Sequence, residues 1–250
     1  MSGVVGKTAF VTGAGSGIGR ATAIVLAKGG ANVALGDVNE VGVAEVAREV
    51  ENLGRRALTL RVDVTNLQEV EAAVAEIGRT LGPVDILLSN AGIAEQVPFV
   101  EMTEAQWDRM FNVHLNGTYH CFRAVLPGML ERSTGRLIST SSMGAFTGGV
   151  RLSHYCAAKA GIAGLTIAMA SELARTGITV NAVAPGVIDT PMVQQSPPQW
   201  VERMTKTIPM RKLGKPEDIA YAVAYLASEE AGFVTGQIIS PNGGSYMKWC

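Results

Sequence analysis

The chain has 250 residues, 47% of them hydrophobic and 17% charged, which is enough apolar material for one compact domain of the larger kind or two small ones. The formal net charge is -1, with no long basic run, and this argues against nucleic acid or an anionic membrane surface as partner. Cys121, Cys156 and Cys250 are an odd number of cysteines with no Cys-x-x-Cys spacing, so free thiols in a reducing, cytoplasmic setting are expected, with no disulfide framework and no metal site.

In chain order, apolar β-rich runs alternate with helical patterns. Lys7–Thr12 reads as a buried strand and Ile18–Lys28 as a helix. Asn32–Gly36 is the next strand, followed by a helix from about Glu40 to Leu53. Ala57–Val62 and Gln68–Leu81 repeat the pair, and Val84–Ser89 is a fourth strand. Helical segments lie between Gln106 and Leu130, then a strand at Gly135–Ser139, a long helix from Tyr155 to Arg175, and a strand at Thr179–Val183. Asp218–Leu226 is helical and Gln237–Ser240 is the last strand. Nearly continuous apolar strands separated by helices imply a parallel sheet covered on both faces. The expected fold is α/β, a Rossmann-type doubly wound sheet of about seven strands, with residues 1–250 forming a single domain. The proline-rich stretch at about 191–215, with Pro191, Pro197, Pro198 and Pro209, reads as a substrate lid. The N-terminus lacks a basic segment followed by an apolar core, so no secretory signal is expected. The apolar stretch Ile162–Ala170, bounded by Gly161 and Glu172, is expected to be too short to span a bilayer.

Between the first strand and first helix runs Thr12-Gly13-Ala14-Gly15-Ser16-Gly17-Ile18-Gly19. Glycines allow a tight turn and close approach to a pyrophosphate, and the helix N-terminus offers free N–H groups. A glycine string alone could be a flexible loop; the strand–loop–helix context makes it a dinucleotide site. Its spacing is T-G-x-x-x-G-x-G rather than G-x-G-x-x-G. Asp37 ends the second strand, where a carboxylate accepts from the adenosine ribose hydroxyls and repels a 2'-phosphate. With neutral Ser16 and no arginine close after Asp37, the cofactor expected is NAD. Asp37 could otherwise be a turn residue before Asn39. Asp63 is either an acceptor for the adenine amine or a turn aspartate before Thr65.

Tyr155 and Lys159 are four residues apart, so on a helix they share a face, and Ser142 lies thirteen residues before Tyr155. A fixed ammonium favours a phenolate. It is expected to lower the tyrosine from its usual pKa of about 10 into the range of an acid/base catalyst.

These residues give the chain a resemblance to the short-chain dehydrogenase/reductase family, over essentially its whole length. The resemblance rests on Thr12–Gly19, Asp63-Val64, Ser89-Asn90-Ala91-Gly92, Ser142, Tyr155/Lys159, and Pro185-Gly186 followed by Thr190. It implies catalytic Ser142, Tyr155 and Lys159, and cofactor contacts from Gly13, Ser16, Gly17, Ile18, Gly19, Asp37, Asp63, Val64, Asn90, Ala91, Gly92, Tyr155, Lys159, Pro185, Gly186, Ile188 and Thr190. Pro185 could otherwise merely end a strand, and Thr190 cap a helix. The family's frequent tetrameric assembly makes a homotetramer the expectation. One position departs from the pattern: where the family usually carries an asparagine that bends a helix and holds a relay water, this chain has His114. His114 is either a proton-relay residue or a buried core histidine. Gly144 also falls one position early after Ser142.

The expected function is NAD-dependent interconversion of a secondary alcohol and a ketone by hydride transfer, with Tyr155 as acid/base. The alternatives are a 3-oxoacyl-thioester reductase, acting on acyl carrier protein or CoA thioesters, and a non-catalytic NAD-binding regulatory protein. Substrate contacts are expected from Ile93–Gln96, Met143–Gly149, His154 and the lid, with Met192, Trp200 and Met204 as an apolar wall.

Overall fold

In a computed structural model, residues 3–247 of the chain are described; Cys250 lies outside them. The strands are β1 Thr8–Thr12, β2 Asn32–Asp37, β3 Ala57–Arg61, β4 Ile86–Ser89, β5 Gly135–Thr140, β6 Ile178–Val183 and β7 Ile238–Ile239. They form one seven-stranded sheet in the order β3-β2-β1-β4-β5-β6-β7, and every adjacent pair is parallel. Helices α1 Gly17–Lys28, α2 Glu40–Asn52, α3 Leu67–Thr80, α4 Glu104–Phe111 and α5 Gly117–Arg132 precede or follow the first five strands. The short α6 Gly144–Thr147, the long α7 Ser153–Leu173, α8 Pro191–Gln194, α9 Pro198–Thr207 and α10 Pro216–Ala227 complete the set.

Consecutive side chains of a strand point to opposite faces, and β1 shows the consequence. Val11 belongs to an apolar layer with Leu26 of α1, Val46 and Val50 of α2, and Ile219 and Val223 of α10. Phe10, its neighbour, joins the opposite layer with Val70 and Ile77 of α3, Phe122, Val125 and Met129 of α5, and Leu173 of α7. Strands buried on both faces cannot alternate in polarity, which is why all five residues of β1 are buried and why the sequence read there as an unbroken apolar run.

Several expectations shift by a residue or two, and three differ in kind. The segment between Gln106 and Leu130 is α4, one π-helical turn at Asn112–Asn116 with His114 in its middle, and α5. The 191–215 stretch carries two short helices, with Pro191 and Pro198 at the first positions of α8 and α9, where a missing N–H costs nothing. The stretch around Ile162–Ala170 lies inside the 21-residue α7, which is long and apolar enough to cross a membrane by length and composition alone. Here it packs on the sheet through Ala158, Ile162, Ala163, Ala170 and Leu173 and buries Lys159.

The chain order reverses between β1 and β4, whose neighbours run outward in opposite directions. Connections leaving the carboxyl ends of these strands diverge and open a crevice, the usual ligand site of a doubly wound sheet.

Candidate active site

A cavity of about 670 Å³ occupies that crevice, and its walls include Gly13, Asp37, Asn90, Ser142, Tyr155 and Gly186. Of the residues singled out in the sequence, Ser16, Gly17, Ile18, Asp63, Val64, Ala91, Gly92, His114, Lys159, Pro185, Ile188 and Thr190 also line it. Gly19 does not. It is buried, and a Cβ there would meet the Gly13 carbonyl oxygen at 2.0 Å, so its part is to let α1 close onto the loop.

The adenosine end is built from strand ends. Gly13 has φ +65, and a Cβ on it would meet Ala91 Cα at 2.8 Å, so only glycine permits this turn against the β4 loop. Thr12 Oγ1 accepts from Asn90 N at 3.0 Å, and Asn90 Nδ2 donates to Thr12 O at 3.2 Å, which locks the two strand ends together. Ser16 stands at the N-cap of α1 without a side-chain cap bond, leaving the first-turn N–H groups open to an anion. Asp37 Oδ2 accepts from Gly15 N at 2.9 Å and Oδ1 from Asn39 N at 3.0 Å. Each oxygen keeps a second lone pair. Asp37 is thus both a loop brace and a carboxylate on the cavity wall, and the two readings of this residue are compatible. Asp63 Oδ1 likewise accepts from Thr65 N and Oγ1, at 2.9 and 2.8 Å. A volume of this size, a glycine cradle that a Cβ would fill, an uncapped helix N-terminus and a wall carboxylate together fit a nicotinamide dinucleotide.

The other end of the cavity holds the polar trio. Ser141 and Ser142 face opposite ways, as strand alternation requires: Ser141 Oγ donates to Lys159 O at 2.8 Å, while Ser142 Oγ accepts from Gly144 N at 3.0 Å. That bond uses a lone pair of Ser142 and leaves its O–H available to the cavity. Gly144 opens α6, and a Cβ there would lie 3.4 Å from Ser142 Oγ and 3.9 Å from Tyr155 Cε1; its early position gives a short helix against the tyrosine. Lys159 is 3% exposed. Its Nζ donates to Thr140 O at 2.6 Å and lies 5.7 Å from the Tyr155 ring centroid.

The electrostatics correct one expectation. Burial raises the Tyr155 pKa above its usual value, a hydrogen bond from Ser142 works in the opposite direction, and Cys156 adds to the rise. Lysine 159 is itself brought down by burial to about 7. Burial disfavours the ammonium as it disfavours the phenolate, so Lys159 does not offset the rise at Tyr155; its Nζ donates instead to the Thr140 carbonyl.

His114 is 2% exposed. Its Nε2 lies 2.8 Å from Ile93 O and 3.3 Å from Ile93 N, and its Nδ1 has no partner among the described residues. The ring meets Tyr155 edge-on, with centroids 5.3 Å apart. A Cβ on Gly92 would lie 2.5 Å from His114 Cε1, so Gly92 makes room for the imidazole. Asn112 and Asn116 pair with each other on the outside, at 2.7 Å.

Ile93 and, from the expected lid, Val193 line the cavity as the sequence led one to expect, whereas Thr140 and Arg109, also on its wall, were passed over. Thr140 acts through its backbone carbonyl, which no side-chain pattern reveals. Of the expected apolar wall, Met192 lines the cavity, whereas Trp200 and Met204 do not; the expected contact His154 is fully covered.

Comparison with known proteins agrees with this geometry. The family model described as enoyl-(acyl carrier protein) reductase matches residues 13–246. The chain is 37% identical to the 3-oxoacyl-[acyl-carrier-protein] reductase FabG of Thermotoga maritima, over 96% of this chain and 97% of that protein. It is 43% identical to the cis-4-hydroxycyclohexanecarboxylate dehydrogenase of Sinomonas cyclohexanicum, over 95% and 96%. The crystal structure of levodione reductase superposes with a TM-score of 0.93 at 35% identity, covering 96% of this chain and 97% of that one. The chain belongs to the short-chain dehydrogenase/reductase family. It is therefore an oxidoreductase with a nicotinamide cofactor and small-molecule substrates.

Proposed function

We propose that the protein is an NAD-dependent dehydrogenase/ketoreductase acting on a secondary alcohol and its ketone. The observation that carries this reading is the placing of Ser142, Tyr155 and Lys159 on one end of a dinucleotide-sized cavity with Asp37 at the other. Asp37 favours two free ribose hydroxyls over a 2'-phosphate, which supports NAD. The name of the Sinomonas relative describes a hydroxyl on a cyclohexane ring, and an alicyclic alcohol is accordingly the substrate to try first.

Gly13, Ser16, Gly17, Asp37, Asp63 and Val64 would hold the adenosine diphosphate, and Asn90, Pro185, Gly186, Ile188 and Thr190 the nicotinamide end. A bound nicotinamide supplies the hydride acceptor in oxidation and the donor in reduction. In oxidation Tyr155 Oη, as phenolate, takes the hydroxyl proton; in reduction it returns a proton to the developing alkoxide. Ser142 Oγ–H donates to the same substrate oxygen and stabilises the charge that grows there. Lys159, whose Nζ donates to Thr140 O and lies 5.7 Å from the Tyr155 ring centroid, would hold the cofactor ribose and favour the phenolate of the tyrosine. Residues 191–215 serve as the lid, with Met192 of α8 against the substrate. A cytoplasmic homotetramer belongs to this reading; exposed Tyr119 on α5, Ile167 on α7 and Tyr221 on α10 supply apolar surface for it.

Tyr155→Phe should lower turnover of cyclohexanol with NAD by at least about a hundredfold and leave NADH binding, followed by fluorescence, unchanged. Turnover near that of the wild type removes the acid/base assignment. The relatives named as 3-oxoacyl-[acyl-carrier-protein] reductases favour a second reading, reduction of a 3-oxoacyl thioester. Acetoacetyl-CoA reduced faster than cyclohexanone would select it. Binding of NADH with no turnover of either would select the regulatory protein instead.

A further inference from the structure

Two hydrogen-bonding groups at the adenosine end of the cavity are left open by the protein itself. Val64 is 6% exposed and lines the cavity, yet its backbone N–H donates to no acceptor among the described residues. Beside it, Asp63 uses Oδ1 for Thr65 N and Oγ1, and its Oδ2 accepts from none of the described residues. Buried backbone donors are almost always paired, so an unpaired one on a cavity wall points to a ligand. A donor next to an acceptor matches the edge of adenine that carries the N1 acceptor and the 6-amino donor.

The Asp63–Thr65 turn that carries both groups lies outside every strand and helix, and two helices hold it. At the start of α3, Glu69 Oε2 accepts from Asp63 N at 3.0 Å, and the N-cap Asn66 donates its N–H to Asp63 O at 3.0 Å. From α5, His120 Nδ1 lies 2.8 Å from Val64 O. A carbonyl oxygen only accepts, so this nitrogen carries the hydrogen. Gly117 is three residues earlier on the same helix face, and a Cβ there would meet Val64 Cγ2 at 2.7 Å. The Val64 side chain is meanwhile sunk in the apolar layer with Val70 and Phe122. Because peptides are planar, only φ and ψ of Val64 separate its carbonyl from its N–H. A carbonyl held by His120 and a side chain held by packing leave that N–H a single direction.

We infer that His120 is a positioning residue for the cofactor: its bond to Val64 O keeps the Asp63–Thr65 turn in the shape that reads adenine. The inference rests on the reading of the cavity as a dinucleotide site with adenosine at Asp37 and Asp63. His120 is half-buried and off the cavity wall, and it acts through Val64. Its effect is preorganisation: a turn already fixed loses no freedom when the cofactor arrives. Affinity for the adenine half of the cofactor should therefore depend on His120, and affinity for the nicotinamide half should not.

The test compares wild type with His120→Leu, which keeps the bulk and loses the donor, and with His120→Asn, whose Nδ2 takes the place of the imidazole Nδ1. In fluorescence titrations His120→Leu should bind NADH about tenfold more weakly, the effect of one lost hydrogen bond. Reduced nicotinamide mononucleotide, which has no adenine, should bind His120→Leu as it binds wild type. His120→Asn should recover most of the NADH affinity. Wild type should also prefer NADH to its hypoxanthine analogue, whose N1 carries a hydrogen that opposes the Val64 N–H, and His120→Leu should narrow that preference. A merely structural histidine would weaken both nucleotides alike. Equal losses for NADH and the mononucleotide, or no loss for NADH, overturn the inference. Ring-nitrogen NMR of the unliganded wild type should find a hydrogen on His120 Nδ1; a hydrogen on Nε2 alone overturns the clamp even where His120→Leu fails to fold. Wild-type protein that binds no NADH sinks the dinucleotide reading and the inference with it, whereas normal wild-type binding with an unmoved His120→Leu sinks the inference alone.

Discussion

Lys159 shows how one buried group shapes both chemistry and stability. Its pKa is about 7 in the fold against an ordinary value of about 10.4, so between these values the unfolded chain binds the extra proton. Stability therefore rises with pH across that window and is lowest below pH 7. Cys121 has the opposite sign: burial pushes its thiol from 9.0 up to about 12, so its contribution is complete below pH 9 and is lost as pH rises towards 12. Urea unfolding of the unliganded protein should thus show stability climbing from pH 7 to about 9 and levelling above it, where the two slopes cancel. Lys159→Met should abolish the climb; a climb that persists places the titrating group elsewhere. At the far end of the cavity, Asp37→Ala should reduce the preference for NAD over NADP by about tenfold, or ~1.4 kcal/mol. It should weaken NAD binding as well, because the carboxylate also holds Gly15 and Asn39. An unchanged ratio of kcat/KM for the two cofactors would falsify the assignment of Asp37 to the ribose.

Elements were legible where a local rule governs them and obscure where packing decides. The strand–glycine loop–α1 unit and the Tyr155/Lys159 face of α7 follow from spacing alone, and both stand where the sequence put them. The π turn at Asn112–Asn116 has no such rule behind it. It widens the helix by one residue, and His114 at its centre reaches the Ile93 loop. The helices within 191–215 were hidden because two prolines read as breakers, although at a helix start they are neutral. The capping box of α4 links element to site. Thr103→Ala should destabilise the protein by about 1 kcal/mol and free Gln106 from its place beside Glu95. Thermal unfolding checks the first effect, and a moved Gln106 side-chain amide resonance the second.

At the scale of the molecule, the reversal of strand order between β1 and β4 makes one cavity out of loops far apart in the chain. NADH binding should therefore brace both halves of the sheet. At a concentration a hundred times its Kd it should add about 2.7 kcal/mol and raise Tm by roughly 5–10 °C; a Tm that does not move would mean the cavity does not take the dinucleotide. Sequence alone determined the class of fold and marked the glycine loop and the Tyr155/Lys159 face as candidates, because periodicity, glycine freedom and i to i+4 spacing act between near neighbours. Only the tertiary structure decided the burial of Lys159 beside Tyr155, the demotion of Gly19 to a packing role, and the setting of His114 against the Tyr155 ring. Those depend on desolvation and on contacts between segments distant in the chain, and neither quantity is written in local order.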